Sequence, residues 1–251
     1  MKKTTFLSVL ALLAAITACT TSSTRPQVNL AIDEQHIQPD DSTRYGLACD
    51  GCTDSILVFL PNSGGDPDTF NILEASLNHR IYGRPNVGDR VAIVINHEDS
   101  TTADMLINLD RLTGEWTYEV MPELRQRAGA EKAGHERHAA LPDSFRKKFM
   151  VPRQLGFVLN ADGTARGVST VPRTQMGTDS PVKYPRQKHY REWRILNGQL
   201  LLNEAATDSL GQLRVVSIDT AQFVLMRRDT LVLRFNDGEQ GYSRTATTKE
   251  R

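Results

Sequence analysis

The sequence predicts a mainly β protein, in which a C-terminal antiparallel β-barrel follows a smaller, mostly-β domain. Short apolar runs recur from residue 114 onward, and Asn-Gly or Asp-Gly pairs join several of them. Such pairs are strong hairpin signals, because both central residues of the turn need positive φ. No helical periodicity separates most of these runs. We therefore expect an antiparallel meander, which loses its exposed edges on closing into a barrel.

The first 18 residues have the three parts of a secretory signal peptide. Lys2 and Lys3 make the start positive, an almost entirely apolar stretch covers residues 6–16, and small residues precede Cys19. The stretch is too short to cross a bilayer as a helix, which takes roughly 20 residues. We therefore expect residues 1–18 to be cleaved from an exported protein.

Cys19 stands where cleavage is expected, at the end of residues 15–19 (Ala-Ile-Thr-Ala-Cys). This run resembles the lipobox of bacterial lipoproteins, whose cysteine receives a diacylglycerol, although Ala15 stands where such boxes usually carry Leu. The alternative is an ordinary signal peptide in which Cys19 is incidental. The resemblance implies an acylated, palmitate-type N-terminus, firmly held in a membrane by two or more chains. The second mature residue is Thr20 and not Asp, a feature that resembles lipoproteins of the outer membrane. We therefore expect the protein to be anchored in the outer membrane and to face the periplasm.

Residues 19–44 begin small and polar, and we interpret them as a flexible tether. Cys49 and Cys52 follow as Cys-Asp-Gly-Cys, in an oxidising compartment. A thioredoxin-type pair needs a helix N-terminus to stabilise its thiolate, and here the strand-like residues 56–60 come next. A zinc site would need two further ligands, and there is no second cysteine pair. We expect a structural disulfide or two free thiols.

Charge is spread unevenly along the chain. Residues 30–112 carry 14 acidic and 5 basic residues, residues 122–153 carry 8 basic and 4 acidic, and residues 172–194 carry 6 basic and 2 acidic. Such asymmetry can signal nucleic acid or anionic lipid, but in an exported lipoprotein we expect the basic segments to face the acidic domain or solvent. The predicted organisation is a small mostly-β domain at 45–111, a barrel at 112–246 with basic inserts at 122–153 and 172–189, and a tail at 247–251.

The predicted N-terminal domain has two clear strand signals. Residues 56–60 are an apolar run bounded by turn residues, and residues 90–96 follow Gly88-Asp89. Between them, residues 70–79 have modest helical spacing at Phe70, Leu73 and Leu77. Gly-Asp followed by alternating valines occurs in many small barrels of OB or SH3 type, the fold that this analogy suggests here.

The C-terminal barrel is predicted from nine short strands. They cover residues 114–121, 155–160, 164–171, 190–196, 199–204, 213–218, 222–226, 230–235 and 241–245. Asp162-Gly163, Asn197-Gly198 and Asp237-Gly238 mark tight turns between successive strands. The order of these elements favours an up-and-down arrangement.

Gly114-Glu115-Trp116 opens the first of these strands and looks like the Gly-x-Trp signature of lipocalins. The runs at residues 155–165, 193–202, 208–211, 217–220, 229–233 and 242–244 resemble, in order and spacing, the lipocalin-like domains of Bacteroidetes lipoproteins. The resemblance covers about half of the chain and implies a lipocalin-like (calycin) barrel. Both basic inserts are longer than that pattern expects.

The resemblance also implies how one end of the barrel is closed. In lipocalins the Trp of the first strand lies beneath an Arg from the last strand, and Trp116 and Arg244 match those positions. A guanidinium over an indole is stabilising, so the implied role is structural. The alternative is a core Trp116 with Arg244 exposed to solvent.

The sequence offers little catalytic chemistry. His135 and His138 stand three residues apart in Gly-His-Glu-Arg-His, one residue short of the His-Glu-x-x-His spacing, and we interpret residues 122–140 as a solvated polar helix. No Gly-x-Ser-x-Gly, P-loop or dinucleotide motif is present. We expect no catalytic or metal residue, no cofactor, no nucleic-acid partner and no enzyme activity.

Two functions remain open. In the first, the barrel of a membrane-anchored lipoprotein binds a small hydrophobic ligand in its mouth. In the second, the barrel is packed solid and serves as a structural or protein-interaction module of an envelope assembly. A cavity above about 300 Å³ would favour the carrier. The side chains that could instead fill the lumen are Phe157, Leu159, Ile195, Leu201, Val215, Phe223, Leu225, Leu231 and Leu233.

Overall fold

The protein is mainly β, as the sequence predicts. A computed structural model describes residues 41–125, 142–177, 179–207, 211 and 213–245. Within these residues, sixteen strands form sheets of six, eight and two strands, and the four helices are short. The predicted lipidation site Cys19, most of the predicted tether, and His135 and His138 lie outside the described residues.

The N-terminal unit is a six-stranded sheet that curls towards closure. Its elements are β1 (Thr43–Ala48), β2 (Ile56–Pro61), β3 (Asp68–Asn71), α1 (Leu73–Leu77), β4 (Ile81–Tyr82), β5 (Arg90–Ile95) and β6 (Ala103–Asn108). The strand order is β3-β2-β1-β5-β6-β4, and only the β4–β6 pair is parallel. Asn71 also bridges in parallel to Thr102, which brings the end of β3 to the start of β6. This partly open barrel, with a helix after its third strand, has the OB-type arrangement.

Helix α1 differs from the prediction for residues 70–79. Phe70 belongs to β3, and only Leu73–Leu77 is helical. Leu73 is 45% and Leu77 65% exposed, whereas Ala75 is the buried residue of the helix. The predicted apolar face was wrong because it counted the helical period from Phe70, which is in a strand.

The C-terminal unit is an eight-stranded antiparallel barrel. A short helix α2 (Leu109–Leu112) leads into it from β6. Its strands are β7 (Gly114–Val120), β9 (Arg153–Leu159), β10 (Ala165–Ser169), β12 (Tyr190–Leu196), β13 (Gln199–Thr207), β14 (Leu213–Met226), β15 (Thr230–Phe235) and β16 (Gly238–Arg244). They follow one another in chain order, and the last strand pairs with the first. Between β10 and β12 the barrel is closed only by a bridge from Thr164 to Glu192 and by the bond from Trp193 N to Gly163 O, 2.8 Å.

One pair of predicted strands is a single strand in the structure. Residues 213–218 and 222–226 both belong to β14, which runs without a turn through Asp219 and Thr220. Asp219 pairs in register with Leu202 of β13, so the residues left between the two predicted strands continue the ladder. The barrel therefore has eight strands, one fewer than the sequence predicts.

The end of the barrel that contains Trp116 is packed with side chains. Most of the predicted lumen residues are buried in one cluster: Phe157, Leu159, Ile195, Phe223, Leu231 and Leu233. Val215 is instead 55% exposed, Leu201 is buried outside this cluster, and Leu225 is only half-buried. A bulge between Phe223 and Leu225 shifts the β14–β15 register, and Met226 is buried in the cluster. Strict alternation fails after such a bulge, because the extra residue reverses the faces.

The N-terminal unit covers the packed end of the barrel. Tyr82 Oη donates to Phe223 O over 2.7 Å, and the two rings lie 5.2 Å apart. Tyr45 Oη donates to Ile195 O over 2.5 Å. Residues of both units share one core, to which the N-terminal side contributes Tyr82, Ala92, Ile107, Leu109 and Leu112.

The shared core bears on the predicted domain boundary near Leu112, which remains a prediction. A fragment from Arg111 to Arg251 keeps every barrel strand but loses Tyr82 and Leu109 from the core. We expect it to unfold cooperatively but at a lower urea concentration than the whole protein, because apolar side chains at the junction become exposed. Circular dichroism during urea titration measures this. A broad, non-cooperative transition of the fragment would mean that the two halves share one core.

The described elements of the basic inserts pack together beside the barrel. Their described elements are β8 (Glu123–Leu124), α3 (Asp143–Phe149), α4 (Arg173–Met176) and β11 (Val182–Lys183), and β8 pairs with β11. Leu155, Val171, Val182 and Tyr184 form a separate small core with apolar residues from both inserts. Leu155 begins the inward side of β9 at the end opposite Trp116, so this small core lies beside the open end of the barrel. Most of the charged side chains in the described parts of the inserts are exposed to solvent, one of the two settings that the sequence left open.

None of the helices in the described ranges is long and apolar enough to cross a membrane.

Candidate functional site

The packed end of the barrel is closed by Trp116 and Arg244. Trp116 has no exposed surface, and its Nε1 donates to Leu112 O over 2.8 Å. The guanidinium carbon of Arg244 lies 4.3 Å from the centre of the indole ring. Arg244 also donates to the carbonyl oxygens of Thr113 and Arg111. The structure thus brings together the two residues that the resemblance pairs, and their contacts are those of a structural plug.

Gly114 makes room for this arrangement. Its φ is +133°, a conformation that residues with side chains rarely adopt. A Cβ at this position would lie 2.5 Å from Nη1 of Arg244. A glycine is therefore needed here both for the backbone turn into β7 and for the approach of the guanidinium.

The opposite end of the barrel opens into a pocket of about 390 Å³. Strands β7 and β16 pair only at Thr117–Ser243 and Trp116–Arg244, so they separate immediately above the plug. The pocket lies above this point and is lined by Tyr118, Leu155, Gly156, Phe157, Arg186, Gln187, Lys188, Tyr190, Ile218, Asp219, Thr220, Phe235, Asn236, Asp237, Gly238, Glu239, Gln240 and Tyr242. Its volume is within the range of small-molecule sites, roughly 300–1,000 Å³.

Aromatic rings form the floor of this pocket. Phe157 lies 4.9 Å from Tyr242 and 6.2 Å from Tyr190, and Tyr118 meets Tyr242 edge-on at 5.3 Å between ring centres. Burial raises the pKa of Tyr118, Tyr190 and Tyr242 above the ordinary value, with further upward contributions from Asp237 to Tyr118 and from Asp219 to the other two. All three phenols therefore stay protonated at neutral pH and can donate hydrogen bonds.

Charged side chains stand above the aromatic floor. Asp219 Oδ2 accepts hydrogen bonds from Lys188 Nζ at 2.6 Å and from Tyr190 Oη at 2.5 Å. Arg186 pairs with the buried carboxylate of Glu204 at 3.0 Å. The basic insert at 172–189 therefore contributes two of the cations that border the pocket.

The same insert fills the gap between β10 and β12 at the pocket. Gln187 Nε2 donates to Gly156 O over 3.3 Å, and a Cβ on Gly167 would overlap Gln187 and the carbonyl of Lys188. The insert can reach this position only because Gly167 has no side chain, whereas Gly156 has none because a Cβ there would meet the backbone of Trp116 in β7. It narrows the mouth without closing it.

Neither cysteine pairing nor metal chemistry is seen among the described residues. Cys49 and Cys52 are free thiols, and Cys52 Sγ donates to Cys49 O over 3.1 Å and accepts from Val58 N over 3.4 Å. No group of three or more His, Cys, Asp or Glu side chains in the described part of the chain is placed to hold a metal ion.

Sequence reasoning missed the polar residues of the mouth. Asp219 lay between two predicted strands, and Lys188 belonged to an insert expected to face the acidic domain or solvent. Tyr242 was given only as part of the last predicted strand. The one available signal was alternation: Tyr118 and Tyr242 stand two residues from Trp116 and Arg244, and so share their inward face.

The fold and the mouth define an eight-stranded, up-and-down antiparallel barrel with a plugged end and an open end. No family model matches the sequence, and no curated protein matches it. A crystal structure of a lipocalin-like protein from Bacteroides thetaiotaomicron VPI-5482 is similar at 18% sequence identity and a TM-score of 0.27. The match covers 53% of this chain and 96% of that one.

Proposed function

We propose that this protein is a lipid-anchored lipoprotein of the bacterial cell envelope whose barrel binds a small ligand at its open end. Its location would be the outer membrane, facing the periplasm. The anchor rests on the signal peptide and lipobox at residues 1–19. The binding function rests on one observation, the pocket of about 390 Å³ above a fully packed barrel floor. The proposal involves no catalytic step.

The division of the barrel into two parts supports binding over a purely structural role. A barrel of eight strands can be filled by side chains or hold one small ligand. Here Trp116, Phe157 and the residues around them fill the plugged end of the barrel. This packed core can stabilise the fold without side chains filling the open end. The inserts can then determine the shape of the mouth. Its aromatic floor and few convergent polar groups are typical of small-molecule sites.

Blocking the mouth tests the proposal. Gln240 pairs with Leu233 across β15 and β16, so it shares the inward face of the barrel, and it lines the pocket. We expect Gln240→Trp to weaken ligand binding at least about tenfold, because the indole occupies the pocket. Isothermal titration calorimetry with lauric acid, 1-anilinonaphthalene-8-sulfonate and a set of neutral disaccharides measures this.

The matched control is Gln222→Trp. Gln222 is an exposed residue of β14, pairs with the exposed Arg234 and does not line the pocket. This variant should bind as the unmodified protein does. If none of the probes binds the unmodified protein, or if binding survives Gln240→Trp, the barrel mouth is not a ligand site.

The second candidate is a protein-interaction module. It is favoured by the exposure of Val215 (55%), Val216 (56%) and Ile218 (51%) on β14. The β13–β14 ladder continues past the pocket to Thr207–Leu213. Val215 and Val216 stand on opposite faces of this extension, and Ile218 lies next to it at the edge of the pocket. Single exposed apolar residues are ordinary, but a group at one hairpin is more typical of a contact surface. The interaction-module function is preferred only if none of the probes binds in the mouth.

A further inference from the structure

The hydrogen-bonding groups of the mouth indicate what kind of ligand it takes. We infer that the pocket binds a neutral, polyhydroxylated ring compound of carbohydrate type, with Asp219, Tyr118 and Tyr242 as its main polar contacts. The inference rests on the proposed function, since it names the ligand class of that same pocket. It also departs from the small hydrophobic ligand that the sequence suggested.

The first argument is that three polar groups at the pocket lack protein partners. Asp219 uses only Oδ2 for Lys188 and Tyr190, and Oδ1 has no hydrogen bond within the described residues. The hydroxyls of Tyr118 and Tyr242 likewise have none there, although Tyr242 is only 7% exposed. None of these three oxygens is among the buried, unpartnered side-chain atoms of the described residues, so each is open to solvent in the mouth. A ligand that covers them without forming hydrogen bonds would leave them unpaired, which costs free energy. A purely apolar ligand would cover all three without satisfying any.

The second argument is that most charges at the mouth are already neutralised. Lys188 pairs with Asp219 at 2.6 Å, and Arg186 pairs with Glu204 at 3.0 Å. Glu239 pairs in the same way with Arg234, at 2.6 Å. An anionic ligand would have to displace one of these carboxylates from its cation. A neutral ligand can hydrogen-bond to the ion pairs as they stand.

The third argument is the mixture of donors and acceptors. Tyr118, Tyr242 and Lys188 can donate, whereas Asp219 and Asp237 can only accept. Asp237 lines the mouth and has no ion pair in the part of the chain that the structure describes. A ligand hydroxyl both donates and accepts, so several hydroxyls on one ring match this mixed set.

The fourth argument is the floor. Tyr118, which is half-buried, and the edge of Tyr242 present aromatic surface next to these polar groups, over the buried ring of Phe157. The apolar C–H face of a saturated ring can pack on such surface while its hydroxyls point outward to the polar side chains. Aromatic floor and polar wall together therefore fit a ring with one apolar face and a hydroxylated edge.

Calorimetry with two kinds of probe tests the inference. The hydroxylated probes are maltose, cellobiose, lactose and N,N′-diacetylchitobiose, and the apolar probe is lauric acid. We expect at least one saccharide to bind more tightly than lauric acid. If lauric acid binds in the mouth and no saccharide does, this inference is wrong and the proposed function stands. If no probe binds, the proposed function fails as well.

Two variants test the polar contacts. Tyr242→Phe removes one hydroxyl and keeps the ring, and we expect it to weaken saccharide binding about tenfold while leaving urea stability unchanged. Asp219→Asn keeps the shape of the side chain and should weaken binding by at least as much. Tyr184→Phe is the control, because its hydroxyl bonds to Val151 O at 2.7 Å outside the pocket. Equal saccharide affinities for Tyr242→Phe and Tyr184→Phe would overturn the assignment of Tyr242.

Discussion

Replacing Trp116 by Ala is expected to lower the free energy of unfolding by about 3–5 kcal/mol, the cost typical of truncating a buried Trp. The indole has no exposed surface and lies in the core that both units share. The change would leave a large cavity and would remove the Nε1 hydrogen bond to Leu112 O. It would also leave the guanidinium of Arg244 without the ring that it covers at 4.3 Å.

Arg244→Ala should cost less, about 2 kcal/mol, because Arg244 is partly exposed and its loss opens no large cavity. Its carbonyl partners Thr113 and Arg111 lie at the edge of the barrel. Urea denaturation followed by circular dichroism measures both changes. Leu77→Ala is the control: Leu77 is 65% exposed, and its truncation should change stability by no more than about 0.5 kcal/mol. A similarly small effect of Trp116→Ala would mean that the indole is not the plug of the barrel.

Cys19→Ser is expected to abolish lipidation completely. Serine has no thiol to receive the diacylglycerol, so the protein should remain uncleaved or become soluble. Metabolic labelling with radioactive palmitate, followed by membrane fractionation and mass measurement, reports the outcome in growing cells. All of the expected acyl chains are attached to Cys19, so its replacement should remove the anchor entirely. Stable anchoring takes two or more such chains.

Cys49→Ser is the matched control for this experiment. Cys49 is a free thiol in the folded part and precedes β2. This variant should keep the palmitate label, the mature mass and the membrane fraction. If Cys19→Ser also partitions into membranes with the mature mass, the lipobox assignment is wrong and another feature holds the protein there.

The candidate site was only partly accessible from the sequence. Trp116 stands in a short motif, and alternation places Tyr118 on the same face of the strand, so these two residues could be anticipated locally. Asp219 and Lys188 carry no local signal, because each becomes part of the mouth only through the other, across 31 residues of chain. The predicted hydrophobic character of the ligand came from the resemblance, which says nothing about the polar residues that this chain adds.

The sequence by itself determined the local elements. Turn pairs such as Asn197-Gly198 and the alternation of apolar residues depend on neighbours a few positions apart, and they were enough to predict a mainly β chain with a C-terminal barrel. The tertiary structure decided everything that depends on distant partners. It made residues 213–226 one strand, because β13 pairs with residues 213–222 of β14 and β15 pairs with residues 222–226. It also buried Met226 by means of a bulge. It also placed the basic insert at 172–189 along one wall of the mouth. The ion pair of Lys188 with Asp219 and the close packing of the insert on Gly167 can form only after the barrel strands have paired.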